Sequence, residues 1–185
     1  MAFAKAVTAP RRALTAATAG VALGLSLVAC DTADEAIPGT ICGTPVSPDL
    51  SGPLLRPRGK ITEGSRVDRQ VAQTAPCVLA VNDERALNFR FAFHDGPPGD
   101  LMAYSRESTV IGLTEPARVN LGFEDSVLGN EGATATAPCK TAGGDHFTLT
   151  VQVERANKLK QDLRPAVEAF MRTYMAETLK TLNCG

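Results

Sequence analysis

The chain of 185 residues carries 19 Lys and Arg against 20 Asp and Glu, a formal net charge of −1 that excludes the strongly basic footprint of a nucleic-acid-binding protein. Hydrophobic residues make up 44%, enough for a buried core, whereas 5% aromatic residues and no Trp weaken a sugar-stacking platform.

The first 29 residues contain Lys5, Arg11 and Arg12 but no acid, and an apolar stretch runs from Ala13 to Ala29. A basic region followed by an apolar one is the pattern of an export signal. The stretch is slightly short for a membrane span of about 20 apolar residues. It ends in Leu27-Val28-Ala29-Cys30, a quartet that resembles the lipobox of bacterial lipoproteins. That resemblance implies a signal peptide over residues 1–29, cleavage before Cys30, and a diacylglycerol on its sulfur. Two acyl chains hold a protein stably at a membrane where one is marginal. The Arg11-Arg12 pair leaves general secretion and twin-arginine export both open.

Loss of Lys5, Arg11 and Arg12 with the signal leaves 16 basic residues against 20 acids in the remaining 156, a net charge of −4. This balance favours neither nucleic acid nor anionic lipid, and the length fits one domain. Cys42, Cys77, Cys139 and Cys184 remain, an even number in a compartment that permits disulfides. Of the three possible connectivities we expect the sequential one, Cys42 with Cys77 and Cys139 with Cys184. Each bridge would contribute about 3–4 kcal/mol on chain-entropy grounds. No pair has the short C-x-x-C spacing of a zinc site.

Residues 30–41 read as a tether, acidic and without apolar periodicity. Ser47-Pro48 has the form of an N-cap followed by a first-turn proline and predicts a short helix over 48–55. A loop with an edge strand near Lys60 to Glu63 follows. Val78–Val81 and Ala86–Phe93 flank the polar Asn82–Arg85 and predict a hairpin. In its second strand Leu87, Phe89, Phe91 and Phe93 alternate with Asn88, Arg90, Ala92 and His94, which puts four large apolar side chains on one face. Beyond Gly96-Pro97-Pro98-Gly99, apolar runs at Leu101–Tyr104, Val110–Leu113 and Val119–Leu121 read as short strands. Residues 123–137 read as a loop leading into a small-residue strand that ends at Cys139. Phe147–Glu154 repeats the alternation, with its polar side outward.

Leu163, Val167, Phe170, Met171, Tyr174, Thr178 and Leu182 recur at spacings of three and four, which predicts an amphipathic helix over Leu163–Asn183. Asp162 is its candidate N-cap, Pro165 falls in its first turn, and Glu168 and Arg172 are spaced to pair on its wet side. The expected fold class is α+β: a curved antiparallel sheet packed against a long C-terminal helix, with two disulfides, in a single domain over 42–185.

The lipobox, the string Ile41-Cys42-Gly43-Thr44-Pro45, the strand cysteine Cys77 and the terminal Cys184 together resemble small actinobacterial lipoproteins of unknown function. Some of these are thought to adopt a PsbP-like α+β sandwich. The resemblance implies that fold and supplies no catalytic residues.

The densest polar cluster is His94-Asp95-Gly96-Pro97-Pro98-Gly99-Asp100, composed largely of ordinary turn residues. If their strands lie side by side, Arg90, His94 and His146 form a patch able to hold an anion. No nucleophile elbow, S-x-x-K triplet, P-loop or EF-hand loop occurs. We therefore expect a lipid-anchored, non-catalytic binding or envelope-accessory module on the outer face of the cytoplasmic membrane. Its expected partners are the membrane, through the anchor, and an envelope protein or small ligand on the uncovered sheet face, with no nucleic acid, no metal and no cofactor beyond the diacylglycerol on Cys30. One rival reading is an envelope hydrolase or metal-dependent enzyme centred on His94, Asp95, Asp100 and His146. Another is a carrier of apolar molecules, which predicts a sizeable apolar cavity between sheet and helix.

Overall fold

Two alternating segments and one amphipathic segment organise the molecule. The computed structural model of the chain describes residues 36–56, 58–65, 68–69, 72–107, 113–154 and 162–184. The expected signal peptide over residues 1–29, Cys30 and the beginning of the expected tether lie outside the described residues. The elements in chain order are β1 (Thr40–Ile41), β2 (Thr44–Pro45), α1 (Pro48–Ser51), β3 (Ile61–Ser65), β4 (Thr74–Val81), β5 (Glu84–His94), α2 (Leu101–Glu107), β6 (Ala117–Arg118), β7 (Asp125–Leu128), β8 (Gly132–Thr141), β9 (Gly144–Val153) and α3 (Arg164–Thr181). Seven strands pair antiparallel in the order β3-β4-β5-β9-β8-β7-β6, and β1 and β2 form a separate small hairpin. The expected α+β class holds.

Asn82 and Asp83 take φ of 53° and 62°, the left-handed pair of a two-residue hairpin turn. This turn sets Val81↔Glu84 and Ala80↔Arg85, and a one-residue register shift between Leu79 and Ala80 then brings Leu87 opposite Leu79 and Phe89 opposite Cys77. In the next pairing Phe89 faces Val151, Phe91 faces Leu149 and Phe93 faces Phe147. Strands of period 2 thereby put every aromatic ring of β5 on one side of the sheet. Against that side lies α3, whose Phe170 and Tyr174 rings sit 6.2 and 5.1 Å from Phe89. These rings are fully buried, and they fill the layer between sheet and helix.

Helix α3 starts where Asp162 accepts the Arg164 N–H at 2.9 Å, so the capping carboxylate stands one residue before the cap position at Leu163. It ends at Thr181 with Leu182 as its C-cap, and the next residue, Asn183, takes a φ of 51°, the left-handed conformation that commonly follows helices. Its buried Tyr174 hydroxyl donates to the Ile41 carbonyl at 2.9 Å, and Thr178 meets Thr44 at 3.0 Å. The N-terminal hairpin therefore sits on the α3 side of the sheet. Arg69 reinforces this attachment by donating to Thr44, Gly43 and Thr181.

The cysteines pair as Cys42–Cys77 and Cys139–Cys184. The first bridge joins the residue after β1 to β4, and the second joins β8 to the turn after α3, as the sequential pairing expects. Among the described residues no helix is long and apolar enough to cross a membrane.

Several sequence expectations change. The last two residues of the expected tether, Thr40 and Ile41, form β1 with Ile41 in the core, and the helix expected over 48–55 is confined to Pro48–Ser51. Leu101–Tyr104 begins helix α2 rather than a strand, because Asp100 caps it from the Met102 N–H at 2.9 Å and Leu101 packs with Leu113 and Val127. Val119–Leu121 is not a strand: pairing there is confined to Ala117 and Arg118, while Leu121 turns into the core. Residues 125–128, read as loop, form β7 against β8. Residues 110–112 of the expected Val110–Leu113 strand lie outside the described residues, and Leu113 itself only donates its N–H to the Ser105 carbonyl.

Candidate functional site

The sheet face opposite α3 carries Asn88, Arg90, Ala92 and His94 from β5, and Gln152, Thr150, Thr148 and His146 from β9 in register with them. His94 and His146 are thus direct cross-strand partners at one end of the face. Small Ala92 separates Arg90 from His94 along β5. Close approach is also needed at Gly144, where a Cβ would lie 2.3 Å from the His94 carbonyl oxygen, so only glycine lets β9 begin here.

His146 is held between two carboxylates, with Nδ1 2.7 Å from Asp145 and Nε2 3.4 Å from Glu124. Asp145 also accepts the Gly96 N–H at 2.5 Å, and the imidazole and amide together depress its pKa. His94 is different. Partial burial lowers its pKa, and neighbouring Arg90 and His146 lower it further, so the site favours the neutral ring. Its Nε2 is buried without a hydrogen-bond partner, as are Arg90 Nε and the Tyr104 hydroxyl. The Arg90 guanidinium lies 5.9 Å from the Tyr104 ring centroid.

This face is not the solvated surface that alternation alone suggests. Thr134, Thr136, Thr148 and Thr150 are 0–3% exposed. Their hydroxyls are bonded, Thr134 donating to Thr150 at 3.2 Å, Thr148 to Thr136 at 3.1 Å and Thr136 to the Phe147 carbonyl at 3.2 Å. Helix α2 supplies part of the cover through Leu101, Met102 and Tyr104 around Val127. Threonine hydroxyls that bond one another are tolerated in such a layer, whereas the unmet atoms beside them carry a desolvation cost of about 1–3 kcal/mol each.

Of the residues singled out by sequence, Arg90, His94 and His146 share this face, but Asp95 and Asp100 do not join them. Asp95 is exposed in the turn after β5. Asp100 caps α2 and pairs with Arg118 at 3.0 Å, and Arg118 also pairs with Asp125. Tyr104 was hidden by the strand reading of its segment, and Glu124 by its position in a loop. Two other buried oxygens lack partners, Ser126 Oγ in β7 and Glu131 Oε2 in the β7–β8 turn.

Among the described residues, the one group of His, Cys, Asp and Glu side chains close enough to share an ion is Cys42, Glu63 and Cys77. Its two sulfurs are bonded to each other, and the Glu63 carboxylate accepts the Cys42 N–H at 2.7 Å. It is a disulfide flanked by a carboxylate. Two open cavities, of about 310 and 180 Å³, lie near the start of the described chain, both touching Ala36. Comparison with protein-family models, with curated proteins and with solved structures finds no match for this chain.

Proposed function

We propose that this protein is a lipid-anchored extracytoplasmic lipoprotein, held by Cys30 at the outer face of the cytoplasmic membrane. It acts there as a non-catalytic module that binds a small ligand or an acidic group of an envelope partner beneath and beside α2. The observation that carries the binding site is the set of three buried, unmet polar atoms on one sheet face: Arg90 Nε, His94 Nε2 and the Tyr104 hydroxyl. Native interiors rarely leave such atoms unpaired, so a group bringing acceptors completes the face. Two disulfides agree with an oxidising compartment.

The hydrolase reading finds little support, since Asp100 is engaged in capping and ion pairing and Asp95 stands apart. The carrier reading is disfavoured by the ring contacts of Phe89 in the sheet with Tyr174 and Phe170 of α3, at 5.1 and 6.2 Å, where an apolar cargo would have to lie. The test is a thermal-shift and amide-shift titration of the mature protein with carboxylates, phosphate esters and cell-wall peptides. The expected result is an upward shift with changes at β5 and β9 that Arg90→Met with Tyr104→Phe abolishes. If that double variant is more stable and loses no binding, the unmet atoms are mere frustration and the reading fails. Intact mass from the native host tests the anchor: a chain that begins at Met1, or a Cys30 without acyl groups, defeats it.

A further inference from the structure

On the face opposite α3 the cover is one-sided. Helix α2 packs on β7 and β8, and its Tyr104 reaches back to Arg90 of β5. Past β5 the face is open: Thr74 and Pro76 of β4 are exposed and Val78 is partly buried, and they stand opposite Ala92, Arg90 and Asn88. Arg90 therefore lies where the covered part of the face gives way to the open part. It is also the only Lys, Arg, Asp or Glu in Asn88–His94 and in the two segments paired with it, Thr74–Val78 and His146–Gln152. With the described residues it forms no ion pair.

We propose that the ligand of this face is a monocarboxylate that enters from the β4 side, its carboxylate docking between Arg90 and the Tyr104 hydroxyl and its uncharged remainder lying over Thr74 and Pro76. The proposal rests on the reading of this face as a binding site and adds the chemical class of the ligand and its direction of entry. The buried Arg90 Nε has no acceptor, and Nε–H with the adjacent Nη–H makes the flat, parallel fork that two carboxylate oxygens match. The Tyr104 hydroxyl, buried and equally unmet, adds a third donor. One guanidinium balances one negative charge, and His94 adds no second positive charge because its surroundings favour the neutral ring. A phosphate monoester carries a charge of about −1.5 to −2 at neutral pH, so part of it would stay uncompensated where burial penalises charge. The open strand offers only Thr74, Pro76 and Val78 to the rest of the molecule, a surface without a partner for a second charged group.

The experiment titrates the disulfide-bonded protein at neutral pH with N-acetylglycine or with methyl phosphate and follows the Arg90 Nε–H resonance. N-acetylglycine is expected to shift that resonance together with amides along Thr74–Val78, and to bind on the order of tenfold more tightly than methyl phosphate, the scale of one hydrogen bond to a charged group. Arg90→Lys keeps the charge and removes the fork, and should weaken carboxylate binding by a similar factor. Thr74 is exposed, so changes there test the entrance without disturbing the core. At low salt Thr74→Lys should tighten binding and Thr74→Asp weaken it. Methyl phosphate that binds equally well or better, with the same shifts, overturns the monocarboxylate while leaving the face a binding site. Full affinity in Arg90→Lys, or carboxylate binding indifferent to both Thr74 changes, overturns the proposed docking in the same way. If neither compound moves the Arg90 resonance, the binding site itself fails and the proposal falls with it.

Discussion

The two faces of the seven-stranded sheet are built by the same alternation and solve opposite problems. On the α3 face Phe89, Phe91, Phe147, Phe170 and Tyr174 are buried together, and stability comes from apolar area and ring contact. On the α2 face the buried layer is threonine, held by hydroxyl–hydroxyl bonds, and it runs into Arg90 and His94 with side-chain nitrogens unmet. The contrast separates a face held by apolar packing from one that leaves polar atoms unpaired under partial cover. A period of two marks the first unmistakably and says little of the second, because threonine serves equally on a wet surface and in a satisfied buried layer.

The contrast can be broken most strongly at the packed face. Phe89→Ala should cost about 3–5 kcal/mol, since the 0% exposed ring touches both Phe170 and Tyr174 and leaves a void that neighbours refill poorly. Chemical denaturation would read it as a lower midpoint with little change in slope. Replacing Cys139 and Cys184 together by Ser should cost about 2–5 kcal/mol by releasing the turn after α3 from β8. An unchanged unfolding temperature would show that helix packing alone secures that end.

The polar face should behave non-additively. Thr134→Val alone strands the Thr150 hydroxyl and should cost about 1–3 kcal/mol, whereas Thr134→Val with Thr150→Val should be close to neutral. Additive losses in that cycle would mean the hydroxyls do not act as a pair. The smallest effect concerns pH. Burial and Arg90 hold the folded-state pKa of His94 below its ordinary value of 6.5. The unfolded chain therefore takes up this proton first on acidification. Stability contributed here is full above the unfolded value and declines as pH falls from 6.5 toward the folded pKa. His94→Gln should flatten stability in that window, and an unaltered profile would place the histidine in a solvated setting.

Much of the fold was legible in the chain. The Leu87 to Phe93 alternation, the Asn82-Asp83 turn, the Phe147 strand and the Leu163 to Leu182 periodicity each specify local conformation and the face that must be buried. The strand assignment at Leu101–Tyr104 failed because four apolar or aromatic letters carry no period long enough to separate helix from strand. The deciding contacts, Asp100 on the Met102 N–H and Leu101 on Val127, are a local cap and a tertiary packing event. The patch was half legible. Arg90 and His94 share a face by spacing alone, but His146 joins them only through the β5–β9 register, and Tyr104 only through the path of α2.

The sequence by itself determined that the inward rows of β5 and β9 and one stripe of the last helix would be buried together. Apolar periodicity fixes which side of an element leaves water wherever that element comes to rest. The pairing of the four cysteines was expected in chain order, but the sequence left three connectivities open and the fold chose among them. Only the tertiary structure decided that the other face of the sheet is covered as well, and that two histidines far apart in sequence stand opposite each other between an arginine and a pair of carboxylates. Those facts depend on strand register and on where a short helix lands, and a polar side chain carries no mark of the neighbour it will meet.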